Sequence, residues 1–79
     1  MDTERAIEEL LALPQLKDSG ARARLSCGEI ADAATYLTED IAEFRVSITD
    51  EQRQALLSGI SEYAEGDQEV FTAYARLLG

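Results

Sequence analysis

The sequence contains no histidine, one cysteine and only seven basic residues among 79. Histidine is the commonest general base and metal ligand in proteins, so its absence excludes Ser–His and Cys–His catalytic pairs within the chain. Because Cys27 is the only cysteine, no internal disulfide can form, as is typical of proteins in a reducing compartment. The chain also lacks the apolar stretch of a secretory signal and any run near the ~20 apolar residues that span a bilayer. We therefore expect a cytoplasmic protein without a membrane-spanning segment.

The remaining reactive groups give little support for catalysis. The five glycines are scattered and match no phosphate-binding loop, and no spaced run of Asp and Asn residues matches a calcium loop. Cys27 lies close to Glu29, whose negative charge disfavours a thiolate, so we interpret it as a small packed or half-exposed side chain. A chain of this length has room for one core but not for a deep cleft as well. The sequence predicts a single non-enzymatic domain, residues 1–79, that holds no metal or cofactor.

Acidic residues outnumber basic ones, and their excess lies almost entirely after residue 25. Residues 1–25 hold five acids and four bases, whereas residues 26–79 hold eleven acids and only Arg45, Arg53 and Arg76. The second segment therefore carries −8 of the total net charge of −9. A field of this sign repels phosphate backbones and anionic lipids and attracts basic surfaces. We expect a partner protein with a basic surface, and neither direct nucleic-acid binding nor membrane binding.

Apolar residues recur at helical spacing along most of the chain, so the predicted fold class is all-α. Only Phe44 to Ile48 alternates apolar and polar residues, which is too short for more than an edge strand. Pro14 ends the first helix, because proline lacks a backbone N–H and disfavours helical geometry at the residue before it. The predicted architecture is a compact bundle with one short extra helical turn accommodated within residues 15–25. Its four main helices span about 3–13, 27–44, 50–65 and 67–78.

Capping signals locate the starts of two of these helices. Ser26 and Glu29 have the spacing of a capping box, in which the hydroxyl and the carboxylate each accept a backbone N–H at the helix start. This pair predicts that the second main helix begins after Ser26, with Cys27 as its first residue. Thr49 and Gln52 repeat the pattern and predict the start of the third main helix.

One face of the second main helix carries acids that have no cationic partner along the helix. Tyr36 falls among these acids on a helical wheel, opposite the apolar stripe that runs from Ile30 to Phe44. No Lys or Arg lies between Leu25 and Arg45 to neutralise them from three or four positions away. A second acidic cluster surrounds the corner between the third and fourth helices. The acids without a capping role form, together with Tyr36 as an aromatic anchor, the candidate partner-binding surface: Asp32, Glu39, Asp40, Glu43, Glu62 and Glu65.

Two functions fit this pattern. The first is an inhibitor or antagonist that covers a nucleic-acid-binding surface of a partner protein, as nuclease immunity proteins and phage-encoded DNA mimics of the anti-CRISPR kind do. This hypothesis is an analogy of charge pattern, with no matching motif. The alternative is a small helical structural or adaptor protein that forms homo-oligomers through the heptad-like stripe from Ile30 to Phe44. The chain is thus expected to be a monomer or a homodimer. The acidic face also has a simpler interpretation as a solvated surface.

Overall fold

The computed structural model describes residues 1–79 and contains five α-helices and no strand. This confirms the all-α bundle, and it also confirms the short extra helix between residues 15 and 25. No helix combines the length and the apolar composition needed to cross a bilayer. A 3-10 turn at Pro14–Leu16 joins the first two helices. The helices are α1 (Thr3–Leu11), α2 (Ala21–Ser26), α3 (Ile30–Phe44), α4 (Asp50–Ala64) and α5 (Gln68–Leu77).

Helix α3 is the centre of the bundle, because all four other helices and the 3-10 turn pack against it. Leu37 and Ile41 of α3 are buried, as the apolar stripe predicted. Thr35 and Thr38 are buried as well, and their hydroxyls donate to the backbone carbonyls of Asp32 and Ala34 at 2.8 and 2.7 Å. These bonds remove the cost of burying an unpaired polar group. The main core cluster comprises Ile7, Leu10, Leu11, Leu16, Ala21, Ala33, Ala34, Leu37, Ile41 and Leu56.

The predicted start of the second main helix is wrong. Ser26 is the last residue of α2, and its hydroxyl donates to the carbonyl of Arg22 at 3.0 Å instead of capping α3. Gly28 then adopts a left-handed conformation with φ +77°, which places the N–H of Glu29 on the carbonyl of Arg24 at 2.9 Å. This bond and the one from Gly28 to the carbonyl of Leu25 form a Schellman motif, which ends a helix. Helix α3 therefore begins at Ile30.

The other helix ends follow more closely from local signals. Thr49 and Gln52 form the predicted capping box at the start of α4. Helix α1 ends at Leu11 and not near residue 13, because Leu13 is already extended before Pro14. Helix α4 ends at Ala64, one residue earlier than predicted, because Glu65 is left-handed with φ 49°.

The buried apolar stripe of α3 ends at Ile41 and, contrary to the sequence prediction, does not include Phe44. Phe44 is 54% exposed, whereas the sequence places it on the buried face. The chain leaves the helix at Arg45, which is left-handed with φ 53°, and Val46 and Ile48 fold back onto the core in its place. Residues 44–48 form no strand, so the alternating pattern there marks a segment with one apolar side.

Helices α1, α3 and α4 come closest at Gly59. A Cβ atom at this position would lie 2.7 Å from Cγ2 of Thr3 and 2.9 Å from Cβ of Ala34. Thr3 also donates its hydroxyl hydrogen to the carbonyl of Ala55 at 2.7 Å, which holds the start of α1 on α4. Because atoms of three helices meet here, any side chain larger than hydrogen would force Thr3 or Ala34 to shift.

Gly59→Ala is expected to destabilise the protein by about 1–3 kcal/mol through overpacking, although alanine favours a helix by ~1 kcal/mol relative to glycine. The Thr3→Ser variant removes the Cγ2 methyl group, so the same Gly59→Ala change should cost less in that background. Urea unfolding of the two single variants and the double variant measures this coupling. A Gly59→Ala protein as stable as the wild type would show that the helices do not cross as closely as described.

Candidate functional site

All three tyrosines of the chain lie on one side of the bundle, although they belong to three different helices. Tyr36 of α3 and Tyr63 of α4 line the same groove. The rings of Tyr63 and Tyr74 of α5 meet edge to face, with centroids 5.7 Å apart and an interplanar angle of 82°. Tyr36 and Tyr63 are 41% and 40% exposed, and Tyr74 is half-buried. The tertiary packing thus assembles an exposed aromatic surface that no local pattern indicates.

Two acids of the predicted set belong to this surface. Asp32 lines the groove beside Tyr36 and Tyr63. Glu39 lies near Tyr74, and its carboxylate raises the pKa of the tyrosine hydroxyl. We call the surface formed by these two acids and the three tyrosines the tyrosine face. Glu43 is exposed one helical turn beyond Glu39 and extends the acidic edge of the face.

The tyrosine face includes a groove that encloses about 340 Å³ between the end of α2 and helices α3 and α4. Glu29 and Asp32 contribute carboxylates to this Tyr36 groove, and neither carboxylate forms an ion pair. The ion pairs of the protein lie elsewhere, between the terminal amine and Glu51 and between Arg5 and Glu9. The groove is lined by Ala23, Arg24, Cys27, Glu29, Asp32, Tyr36 and Tyr63.

Tyr36 is not the free anchor that the sequence indicated, because Arg24 of α2 stacks on its ring. The guanidinium carbon lies 4.3 Å from the ring centroid, and Nη2 donates to the tyrosine hydroxyl at 2.8 Å. Gly20 leaves room for this arrangement, since a Cβ atom there would lie 3.1 Å from Cδ2 of Tyr36. The cation comes from the preceding helix, so a search along α3 alone cannot find it.

The environment of Tyr74 shows how the acids and aromatic rings act on one another. Burial raises the pKa of the Tyr74 hydroxyl above its ordinary value of 10.0, and the neighbouring Tyr63 and the negative charge of Glu39 raise it further. The neutral hydroxyl is therefore favoured where the three helices meet. Glu39 is thereby placed at the α5 end of the tyrosine face, as Asp32 is placed at its α2 end.

Five of the predicted residues do not line the Tyr36 groove, and three of these, Asp40, Glu62 and Glu65, are not part of the tyrosine face. Asp40 lies one helical turn beyond Tyr36 but lines a different groove, which it shares with Lys17 and Phe44. Glu62 is exposed on α4 and points roughly 100° away from Tyr63 around the helix, and Glu65 is exposed just past the end of α4. The Tyr36 groove therefore contains acids of the first cluster but none of the second.

Cys27 lines the Tyr36 groove and is exposed, so it is not a packed side chain. It follows the last residue of α2 and is not the first residue of α3, because Gly28 separates the two helices. No three acidic or cysteine side chains converge in a way that would hold a metal ion.

Comparison with known proteins identifies no relative of this chain. No protein-family model, curated protein or solved structure matches the chain. The function is therefore argued from the tyrosine face and its charges.

Glu39→Gln is expected to lower the pKa of Tyr74 toward 10.0, because it removes one of the groups that raise it. NMR titration of the tyrosine ring carbons measures this change, and Glu43→Gln is the matched control that should leave Tyr74 unaffected. Because the neutral hydroxyl is favoured in the folded state, its stabilising contribution is present below pH 10.0 and is lost as the pH rises through the raised pKa. If the pKa of Tyr74 is the same in Glu39→Gln as in the wild type, Glu39 does not belong to the tyrosine face.

Proposed function

We propose that this protein is a non-enzymatic protein-binding domain that inhibits its partner by covering a basic, nucleic-acid-binding surface with the tyrosine face. The observation that carries the proposal is the convergence of three partly exposed tyrosines with acids that form no ion pair. Tyrosine is enriched at the energetic centres of protein interfaces. Unpaired acids give such a surface its preference for a basic partner.

The dimensions of the protein are consistent with an interface of ordinary size. The bundle measures 32 × 27 × 21 Å, so one broad side supplies the roughly 800 Å² that each partner buries in a standard interface. Aromatic rings from α3, α4 and α5 supply apolar contact area near the middle of this side. The carboxylates at its edges, including Glu29 and Glu43, direct the approach of a positively charged partner.

A groove built to bind nucleic acid is the basic surface that this charge pattern fits best. A chain with net charge −9 cannot bind phosphate itself, but it presents to a basic groove the charge that a phosphate backbone would present. Nuclease immunity proteins and phage-encoded anti-CRISPR proteins are inhibitors of this class, and we place the protein among such antagonists by analogy of mechanism. Its single cysteine fits an activity in the reducing cytoplasm.

The alternative function is a homo-oligomeric structural or adaptor protein. In this fold, self-association would use the surface of α5 and not the apolar stripe of α3. The heptad-like stripe of α3 is buried in the protein's own core, with Leu37 and Ile41 at 0% and 4% exposure. Helix α5 instead contains no fully buried residue, and its Leu77 is 41% exposed. Self-association through α5 predicts dimers whose fraction increases with salt, because screening weakens the repulsion between two acidic chains. Sedimentation equilibrium at two salt concentrations tests it.

The proposal predicts that reversing charge on the tyrosine face abolishes partner binding. In affinity capture from the native host, the Asp32→Lys/Glu39→Lys variant should lose a nucleic-acid-binding protein that the wild type retains. Glu62→Lys/Glu65→Lys is the matched control, since it changes the net charge equally at two acids that are not part of the tyrosine face. Added nucleic acid and high salt should both compete with capture. Capture that survives the first variant, or that nucleic acid does not reduce, would contradict the proposed function.

Tyr36→Ala is expected to weaken binding to the captured partner by about 2 kcal/mol, or roughly thirtyfold, as loss of a central aromatic contact does. Phe44→Ala is the matched control, because Phe44 is a still more exposed aromatic residue in a different groove of α3. Circular dichroism shows whether each variant retains its helices, and calorimetry measures the affinity. Equal losses in the two variants would show that the tyrosine face has no special part in binding.

A further inference from the structure

The Tyr36 groove already contains one bound guanidinium group, which belongs to the protein itself. Arg24 lies 4.3 Å from the centroid of the Tyr36 ring, well within the roughly 6 Å range of cation–π attraction. Its Nη2 atom donates to the tyrosine hydroxyl at 2.8 Å. Glu29 and Asp32 line the same groove, yet Arg24 forms an ion pair with neither of them. The ring and hydroxyl of Tyr36 therefore hold the guanidinium of Arg24, and the acids of the groove form no ion pair with it.

The groove has more capacity for a guanidinium group than Arg24 uses. A guanidinium carries five N–H donors in a planar fork, and Arg24 directs one nitrogen to the Tyr36 hydroxyl. Glu29 and Asp32, two acids that form no ion pair, line the same groove together with Tyr63. Carboxylates accept paired N–H bonds from arginine, and aromatic faces stack on its plane, whereas the ammonium group of lysine matches neither geometry as well.

We propose that the Tyr36 groove is a receptor for an arginine side chain of the partner, and that Arg24 is an internal competitor for the same ring. The incoming guanidinium stacks on Tyr36 in place of Arg24 and pairs with Asp32 and Glu29. Arg24 is displaced into solvent, where its charge is hydrated. This inference rests on the proposed function, because it specifies which basic side chain the tyrosine face recognises.

The choice between arginine and lysine is tested with oligoarginine and oligolysine peptides of equal length, titrated into the whole protein and followed by NMR. Oligoarginine should bind about two- to fivefold more tightly, the ratio expected from one exposed cation–π contact, and should shift the ring signals of Tyr36 and Tyr63. Equal affinities, or shifts confined to other surfaces, would overturn the arginine receptor while leaving a basic-surface inhibitor intact. Failure of both peptides to bind would contradict the proposed function as well.

The competitor role of Arg24 is tested with Arg24→Ala, and Lys17→Ala is the control of equal charge. Both substitutions remove one positive charge, so both raise the affinity for a cationic peptide to some extent by general electrostatics. Arg24→Ala should raise the affinity for oligoarginine about two- to fivefold more than Lys17→Ala does, because it alone vacates the ring of Tyr36. Equal effects of the two variants would overturn the proposal, as would a lower affinity of Arg24→Ala than of the wild type.

Discussion

The burial of α3 is the constraint on which the rest of the structure depends. A chain of 79 residues builds one core, and every other helix uses α3 as its packing partner. Most of α3 is therefore covered, and an exposed strip that contains Tyr36, Glu39 and Glu43 faces outward, with Phe44 exposed at its end. Because α4 and α5 pack along one edge of this strip, Tyr63 and Tyr74 join Tyr36 at the surface. The same packing that stabilises the domain thus assembles the tyrosine face.

The distribution of the basic residues explains why the acids of this face remain unpaired. Arg22 donates to the carbonyl of Leu11 at 2.9 Å, and Arg53 donates to the carbonyl of Gly79 at 2.7 Å. Arg24 stacks on Tyr36, so these three arginines hold backbone or an aromatic ring, and only Arg5 pairs with a carboxylate. The acids of the tyrosine face are consequently unpaired because the basic side chains bind elsewhere, as well as because acids outnumber bases. Its charges repel one another in the free protein, and a basic partner of the kind proposed would relieve that repulsion.

Local signals in the sequence predicted those features that depend on neighbouring residues. The capping box of Thr49 needs only the next three residues, and the apolar stripe of α3 as far as Ile41 needs only helical periodicity. The box predicted at Ser26 failed because Gly28, the stronger signal, ends α2 with a left-handed turn. A glycine two residues after Ser26 is itself a local signal for a helix end, so the sequence also contains the signal for the end of α2.

The candidate site was only partly accessible to sequence reasoning. Asp32, Tyr36 and Glu39 share one face of a single helix, so the wheel of α3 finds them. Tyr63 and Tyr74 reach the same surface through the packing of α4 and α5, which no spacing along the chain encodes. The contact of Arg24 with Tyr36 cannot be predicted from spacing either, because it joins two helices.

The central claim is that one face of the bundle binds a basic protein surface, and hydrogen exchange on the isolated complex tests it most directly. Protection in the complex relative to the free protein should concentrate in α3 between residues 32 and 43, in α4 near Tyr63 and in α5 near Tyr74. Helix α1 contributes no residue to the tyrosine face or the Tyr36 groove and should exchange as it does in the free protein. Protection centred on α1, with α3 unchanged, would contradict the account.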